Sequence, residues 1–472
     1  MNFSNFIFVI GIILTLLFWV SLIFQIPVFQ SLKGWFWVFN DKDCSGYFVP
    51  LIFFFILLIL FFYVIKKHLK GNYISLILVP VGFFLQFTFA LIEGRGLDGL
   101  SDRMVTTGHA DFARVASRQN SFKEVTLNYE KLLKENKLGV YPKSKPPGHL
   151  LFYMFTEKIA NYLLGHKNIS SKVRLRNLIR FATFFFPFIT FLVLIPIYYL
   201  SFELLRERVI FPSFLYTFIP SVLLITLHLD GVIYPLLFIL PVLFFLFAIK
   251  KESFIWSIAS AFFAGVAIYF SFSLMPVLSF IFCFALTRMI ADIKTNGIYR
   301  IYSYLKILIA FVFALVMILL IFRIFLNFNL IESWNRAMEF HRHWKGWESS
   351  ISNVFYWAFH DCVEFLVWLG IAVSILFIIG LVDGIKIRNL KSNLNYPHFV
   401  FAFLVNFLLI LFLGKTKGET ARLYLFFTPF VCIFAIHGLK KISNGKFERN
   451  FFILLLLQFI TTFLIKNYQD FY

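Results

Sequence analysis

The stretch FVPLIFFFILLILFFYVI, residues 48–65, carries no charged side chain and is followed at once by the basic run KKHLK, residues 66–70. A helix needs about 20 apolar residues to cross the hydrocarbon core of a bilayer. The stretch therefore predicts a membrane span with a basic loop behind it. Twelve similar apolar segments occur along the chain, at 6–26, 73–92, 179–203, 209–228, 232–249, 254–271, 274–291, 307–326, 364–382, 397–414, 422–438 and 450–466. We expect an all-α polytopic membrane protein with about 13 transmembrane helices.

The composition excludes a soluble protein. Hydrophobic residues make up 60% of the chain, against roughly 45–50% in soluble domains. The net charge of +20 could indicate nucleic-acid binding in a soluble protein. Here the basic residues cluster in short loops between apolar segments, where they act as topology signals facing anionic lipid. We therefore expect membrane lipids, and not nucleic acid, as partners.

One long hydrophilic insertion divides the chain into three parts. Residues 1–92 hold the first spans, 93–178 form the insertion, and 179–466 form the main transmembrane bundle with polar loops near 230, 327–363 and 415–421. Long loops of this kind are typically functional. We expect the insertion to be an outer catalytic loop with interfacial helices.

The segment 149–164 decides the topology. It is apolar, but Glu157, Lys158 and Asn161 interrupt it, and a charge at mid-bilayer costs about 2.5–3.5 kcal/mol on insertion scales. An amphipathic helix lying in the membrane interface is the better interpretation. All the strongly basic loops then share one side, which is the cytoplasmic side by the positive-inside rule. This predicts a cytoplasmic N-terminus, an outer C-terminus and an outward-facing insertion.

Basic residues on the predicted outer face oppose that rule. They are Lys143, Lys145, Lys172, Arg174, Arg176, Arg336, Arg342, Lys345, Lys415, Lys417 and Arg422. An anionic ligand, such as a lipid phosphate, is the simplest reason for their presence.

Two motifs in the insertion hold candidate catalytic residues. The motif GHADFARVA, residues 108–116, contains His109 and Asp111. The motif YPKSKPPGH, residues 141–149, contains Lys145 and a proline pair that fixes the backbone before a helix. Asp111 could equally be a loop acid or a charge at a helix N-terminus.

The remaining candidates follow the insertion. Asp230 in HLDG, residues 228–231, lies between two spans and could be catalytic or only a helix cap. Later polar stretches supply His341, Lys417, Glu419 and Arg422. Arg422 could also simply extend its charge to the membrane interface.

A metal site is a further alternative. His341 and His343 could join Asp361 as ligands, although imidazoles at an interface also contact phosphate or solvent. The sequence indicates no cofactor with certainty, and a divalent metal is an alternative that we do not favour.

The layout resembles that of the GT-C glycosyltransferases, with the protein mannosyltransferase and aminoarabinose transferase groups nearest. The resemblance rests on Asp111 with the following FARVA, on the stretch SKPPGHLLFY at 144–153, on Asp230 at a later outer loop, and on GETARLYLF at 418–426. It covers about residues 93–440, and Phe112 stands where the family often has a second acid.

The resemblance implies transfer of a hexosyl or pentosyl group from a polyprenyl-phosphate donor to a hydroxyl of a lipid, glycan or protein acceptor, with inversion. It implies that Asp111, with His109 and Asp230, is catalytic. The donor phosphate would be bound by Lys145, His341, Lys417, Glu419 and Arg422. A bacterial inner membrane fits the Phe-, Ile- and Lys-rich composition. A polysaccharide polymerase or ligase with a lipid-diphosphate donor, or a transporter, are the alternatives.

Overall fold

The computed structural model describes residues 3–40, 48–67, 71–92, 96–106, 110–164, 170–296, 299–347, 350–386, 395–413 and 416–469. Within these ranges the fold is all-helical, with no β-strand, and a single isolated bridge pairs Phe39 with Gln469. The predicted all-α class is therefore confirmed for the described residues.

The helices fall into the three parts of the chain. The N-terminal helices are Phe3–Ile23, Phe48–Lys67 and Gly71–Leu91. The insertion folds into Gly96–Thr106, Ala110–Arg118, Phe122–Lys134, the 3₁₀ turn Tyr141–Ser144 and Pro147–Leu163. The central helices are Ser171–Thr190, Leu194–Leu205, Phe211–Tyr216, Pro220–Leu224, Leu229–Val232, Tyr234–Lys251, Phe254–Phe270, Pro276–Asn296 and Tyr299–Phe325, with 3₁₀ turns at Phe191–Val193 and Phe272–Leu274. The last part holds Leu330–Lys345, Ile351–Leu369, Ile371–Gly384, Asn395–Phe412, Thr420–Leu423, Thr428–Ile442 and Phe447–Tyr468, with a 3₁₀ turn at Leu425–Phe427.

Nine helices in the described ranges are long and apolar enough to cross a membrane, or ten if one bent pair counts as a single span. The nine are Phe6–Ile23, Tyr73–Leu91, Ser171–Leu205, Leu229–Lys251, Phe272–Ile293, Ile301–Phe325, Asn395–Phe412, Leu425–Ile442 and Phe447–Tyr468. Two of the other expected spans form shorter apolar helices, Val49–Tyr63 and Phe254–Phe270. The structure thus supports an integral membrane protein, while the count of thirteen spans stays a prediction.

Two expected spans are interrupted. Segment 209–228 contains only Phe211–Tyr216 and Pro220–Leu224, each with proline at its start, where a missing N–H does no harm. The expected span 364–382 bends by 113° at Gly370. Gly370 has a φ of +89°, and a Cβ there would lie 2.1 Å from Oε1 of Gln458, so the bend needs glycine.

Glycines also bring helices Ile371–Gly384 and Thr428–Ile442 close together. A Cβ on Gly380 would lie 2.1 Å from the carbonyl oxygen of Phe434, and one on Gly438 would lie 2.1 Å from that of Leu376. Both helices are largely buried, and this contact lies inside the main hydrophobic core. Close backbone approach through small residues is the usual packing mode of helices in membranes.

Helix Pro147–Leu163, predicted to lie in the interface, packs against Ala110–Arg118, Ser171–Thr190 and Phe254–Phe270. Its charged residues have partners within the protein. Buried Glu157 accepts hydrogen bonds from Asn161 and Arg174, while the ammonium of Lys158 lies 4.6 Å from the ring centre of Phe122. These contacts explain how a mainly apolar helix accommodates charged side chains in this fold. Its interfacial position stays a prediction.

Candidate functional site

A cavity of about 440 Å³ lies where the insertion meets the later helices. Two lysines, Lys145 and Lys345, and one histidine, His341, line this cavity. The remaining wall is mostly apolar and includes Phe272, Met275, Trp334, Met338, Trp347, Leu409, Ile410, Leu413, Leu423, Tyr424 and Phe426. A space with this lining suits a ligand that has an anionic group and an apolar chain.

His341 lies on helix Leu330–Lys345, outside the candidate spans. Burial, and then the charges of Lys145 and Lys345, lower its pKa to about 4. The imidazole is therefore neutral at pH 7, and it can share a proton with a phosphate oxygen without adding to the local positive charge.

Lys145 belongs to a chain of ion pairs beside the cavity. Its Nζ lies 3.5 Å from Oδ1 of Asp230, whose Oδ2 accepts a 2.9 Å hydrogen bond from Nη1 of Arg422. Arg422 also pairs with Glu419, and Glu419 Oε1 lies 3.3 Å from Nζ of Lys345. This series of ion pairs therefore begins at Lys145 and ends at Lys345, which both line the cavity. Asp230, near its centre, is only 2% exposed.

Glu419 and Lys417 have supporting roles in this arrangement. Burial opposes ionisation of Glu419, but Arg422 and Lys345 hold its pKa below the ordinary value. Lys417 donates to the carbonyl oxygens of Lys345 and Gly346, where helix Leu330–Lys345 ends. A lysine at a helix C-terminus stabilises the free carbonyl groups there, so Lys417 fixes the helix end that carries Lys345.

The ionic cluster beside the cavity contains four cations and two carboxylates. Its members are Lys145, Asp230, Lys345, Lys417, Glu419 and Arg422. Its formal charge is therefore +2, with His341 neutral. A phosphate group placed in the adjoining cavity would compensate this excess.

Asp111 lies in the first turn of helix Ala110–Arg118 and holds the loop that leads to Lys145. Its Oδ2 accepts hydrogen bonds from the backbone N–H groups of Val140, at 3.2 Å, and Tyr141, at 3.4 Å. The preceding Gly139 has a φ of +76°, and a Cβ there would lie 3.2 Å from the same oxygen. Asp111 does not line the cavity. The contacts match the loop-acid interpretation, and its role as a base stays a prediction.

Phe112 connects the Asp111 helix with the ionic cluster. The residue is buried, and its ring centre lies 4.3 Å from that of His149. Nδ1 of His149 lies 2.9 Å from the hydroxyl of Tyr234, which also accepts a 3.4 Å hydrogen bond from Lys145. Burial, and then Lys145, hold the pKa of His149 well below its ordinary value. Phe112 thus packs against the residues that contact Lys145.

Part of the basic excess on the predicted outer face has partners within the protein. Arg174 pairs with Glu157, and Arg336 pairs with Glu130 at 2.8 Å. These two arginines therefore have carboxylate partners within the protein, and an anionic ligand for the basic set stays a prediction. Lys145 and Lys345 also pair with acids, but their cluster keeps a formal charge of +2.

The structure separates the histidines considered as metal ligands. His341 lines the cavity and His343 is exposed. In the ranges that the structure describes, neither joins a group of metal-ligating side chains with Asp361, which instead lies beside His360 and Glu364. His109 lies outside the described residues.

Three residues of this region were not predicted as site residues: His149, Tyr234 and Lys345. Tyr234 follows Asp230 by four residues, a spacing that often places two side chains near each other. That spacing could have indicated it from the sequence. Lys345 joins the site only through tertiary contacts with Glu419.

The sequence matches no protein-family model and no curated protein at a significant level. The chemistry of this region is therefore argued from its residues and their geometry.

Proposed function

We propose that this protein is an integral membrane glycosyltransferase that moves a sugar from a polyprenyl-phosphate donor to an acceptor hydroxyl, with inversion of the anomeric carbon. The acceptor is a hydroxyl of a lipid, a glycan or a protein. The proposal places the reaction on the outer face of a membrane, with the bacterial inner membrane preferred.

The observation that carries the proposal is the lining of the cavity. Lys145, Lys345 and His341 line the same cavity as Leu409 and Leu413, which are each 50% exposed. Leu409 lies in the last turn of a helix that is apolar enough to span a membrane, Asn395–Phe412, and Leu413 follows it directly. An opening at this point would admit a prenyl chain from the lipid while the phosphate reaches the lysines. The volume of about 440 Å³ also lies within the range of roughly 300–1,000 Å³ typical of ligand pockets.

The proposed reaction is a single displacement. The acceptor oxygen forms a bond to the anomeric carbon as the bond between that carbon and the phosphate oxygen breaks. The electron pair leaves with polyprenyl phosphate, whose negative charge Lys145 and Lys345 stabilise. Asp230 and Arg422 position Lys145, and Glu419 positions Lys345.

Asp111 is the proposed base that takes the acceptor's proton. Because Asp111 lies outside the cavity lining, the proposal requires the acceptor hydroxyl to bind between Asp111 and the donor's anomeric carbon. Both backbone hydrogen bonds of Asp111 use Oδ2, so Oδ1 can receive a proton while the loop stays anchored. Asn at this position can still accept the two N–H bonds, but it cannot act as a base. The substitution therefore separates the two roles.

The experiment uses purified protein with a panel of radiolabelled polyprenyl-phosphate sugars. It compares wild type with Asp111→Asn and with Asp102→Asn, a matched exposed acid on the neighbouring helix. We expect sugar release or transfer with one donor, unchanged in Asp102→Asn and reduced about 10²–10⁴-fold in Asp111→Asn.

Two results would contradict the proposal. Turnover of lipid-diphosphate oligosaccharides alone would favour the polymerase or ligase alternative. Inactivity of well-folded protein with every donor, together with vesicle uptake of a solute, would favour a transporter.

A further inference from the structure

A buried group of three side chains lies on helix Ile351–Leu369, apart from the cavity lining. His360, Asp361 and Glu364 each offer one ligand atom, and these atoms all lie within 4.8 Å of one another. His360 and Glu364 are four residues apart, which places them on one helix face. All three residues are at most 1% exposed.

The group has buried polar atoms that lack hydrogen-bond partners. Within the described part of the chain, both ring nitrogens of His360, Oδ2 of Asp361 and Oε2 of Glu364 make no hydrogen bond. Leaving one buried polar atom unsatisfied costs about 1–3 kcal/mol. One ligand atom from each of the three side chains lies within 4.8 Å of the other two, and all three side chains carry atoms that stay unsatisfied among the described residues, which indicates that another species satisfies them.

The other oxygens of the two carboxylates are held by the surrounding protein. Oε1 of Glu364 accepts hydrogen bonds from the Trp37 indole, at 2.8 Å, and from the backbone of Ala421, at 3.2 Å. Oδ1 of Asp361 accepts a 2.8 Å bond from the backbone of Gly418. Hydrogen bonds of this kind hold metal-binding carboxylates in position without contacting the metal. In the ranges that the structure describes, they leave the second oxygen of each carboxylate without a hydrogen bond.

The charges of the group point to a cation. Among the ion pairs of the described residues, His360 is the only basic partner of Asp361 and Glu364, with N–O separations of 3.6 and 4.0 Å. Isolated buried carboxylates are costly unless they are paired or coordinate a metal. Ligands about 2.1 Å from a tetrahedral metal lie roughly 3.4 Å apart. The group therefore needs only small side-chain movements to close around one ion.

We propose that His360, Asp361 and Glu364 bind one divalent transition cation of the Zn²⁺ or Mn²⁺ type. One imidazole and two carboxylates suit such an ion, and a water can complete its coordination. The site is distinct from the cavity and does not depend on the proposed glycosyl transfer.

The ion has a positioning role. Gly418 and Ala421 bind the same carboxylates, and Thr420 donates to the backbone oxygen of Asp361 at 3.0 Å. This segment continues directly to Arg422, the partner of Asp230. A bound ion would therefore fix the segment that supplies Arg422.

The test is metal content and metal binding of the purified full-length protein, prepared without chelators. Elemental analysis compares wild type with His360→Gln and Glu364→Gln, and with His437→Gln as the matched control. His437 also contacts a carboxylate, Asp383, at 2.9 Å, but Lys386 and Lys441 already neutralise that acid.

We expect about one ion per chain in wild type and in the control. Each ligand variant should bind Zn²⁺, Mn²⁺ or Co²⁺ at least about 100-fold more weakly, since loss of outer partners alone costs about 10–100-fold. Co²⁺ in wild type should give a visible absorption band that neither ligand variant gives.

Absence of metal from folded wild-type protein, together with no uptake in titrations with these three ions, would overturn the proposal. Equal metal content in wild type and both ligand variants would also overturn it. If a ligand variant fails to fold, the wild-type titration and the Co²⁺ spectrum decide.

Discussion

Replacing Arg422 with Met should destabilise the protein by removing one of the cations that pair with the buried carboxylate of Asp230. Arg422 donates to Asp230 at 2.9 Å and also pairs with Glu419. Asp230 is only 2% exposed, so water cannot replace the lost partner without rearrangement. Met keeps most of the side-chain volume, which isolates the loss of charge from the loss of packing.

The magnitude follows from the ion pairs that Asp230 makes with Lys145 and Arg422. Removing one partner of a buried ion pair costs about 3–5 kcal/mol. Lys145 stays 3.5 Å from the same carboxylate, so we expect a loss near the low end, roughly 3 kcal/mol. Adding Asp230→Asn to Arg422→Met should then recover about 1–3 kcal/mol, because the pair is coupled.

The assay is unfolding in mixed micelles with increasing SDS, followed by far-ultraviolet circular dichroism. Lys440→Met is the matched control, since Lys440 pairs with Glu207 at 2.7 Å on the exposed surface. That change should cost at most about 1 kcal/mol. A loss for Arg422→Met no larger than that of the control, or strict additivity in the double variant, would refute the reasoning.

Three further predictions concern single positions. Burial and two lysines lower the pKa of His341 to about 4, so the unfolded chain, with a pKa of about 6.5, binds more protons in this window. The free energy of unfolding should therefore fall as the pH falls from about 6.5 to 4. In His341→Gln this pH-dependent loss should be smaller by up to roughly 3 kcal/mol. Identical pH profiles for wild type and variant would contradict the prediction. Asp111→Asn should keep the free energy of unfolding within about 1 kcal/mol of wild type, and Asp111→Ala should lower it by about 1–3 kcal/mol, both measured by SDS unfolding. Equal losses in the two variants would exclude a role of Asp111 in anchoring the loop. Gly438→Ala should lose about 1–3 kcal/mol of unfolding free energy, because its Cβ would lie 2.1 Å from a carbonyl oxygen. The control Gly11→Ala, whose nearest contact lies at 3.6 Å, should be tolerated in the same assay. If Gly438→Ala is tolerated too, helices Ile371–Gly384 and Thr428–Ile442 are not in close contact.

The helical fold could be predicted because each span carries its own apolar pattern. The sharp bend within segment 364–382 could not, since it depends on a distant residue. The bend at Gly370 is completed by Gln458, which donates a 2.7 Å hydrogen bond to the carbonyl oxygen of Leu369. A hydropathy pattern contains no information on that contact, so the segment 364–382 reads as one continuous span.

The sequence indicated two of the residues that line the cavity, Lys145 and His341, and did not indicate Lys345 as a site residue. Lys145 and His341 were predicted as phosphate ligands, and both line the cavity. Lys417 and Glu419 were predicted in the same role, which stays a prediction; in the structure Lys417 donates to the end of a helix and Glu419 pairs with Lys345. The difference arises because a short motif shows which charges are present, while tertiary pairing decides which of them face the cavity.

The location of the donor is the most direct test of the central claim. A polyprenyl phosphate with a photoreactive group on its first prenyl unit would be cross-linked to the purified protein and mapped by mass spectrometry. We expect modification at Leu409–Leu413 and near Met275, and we expect excess polyprenyl-phosphate sugar to abolish it. Labelling confined to other helices, or labelling that the sugar donor does not reduce, would contradict a donor site in this cavity.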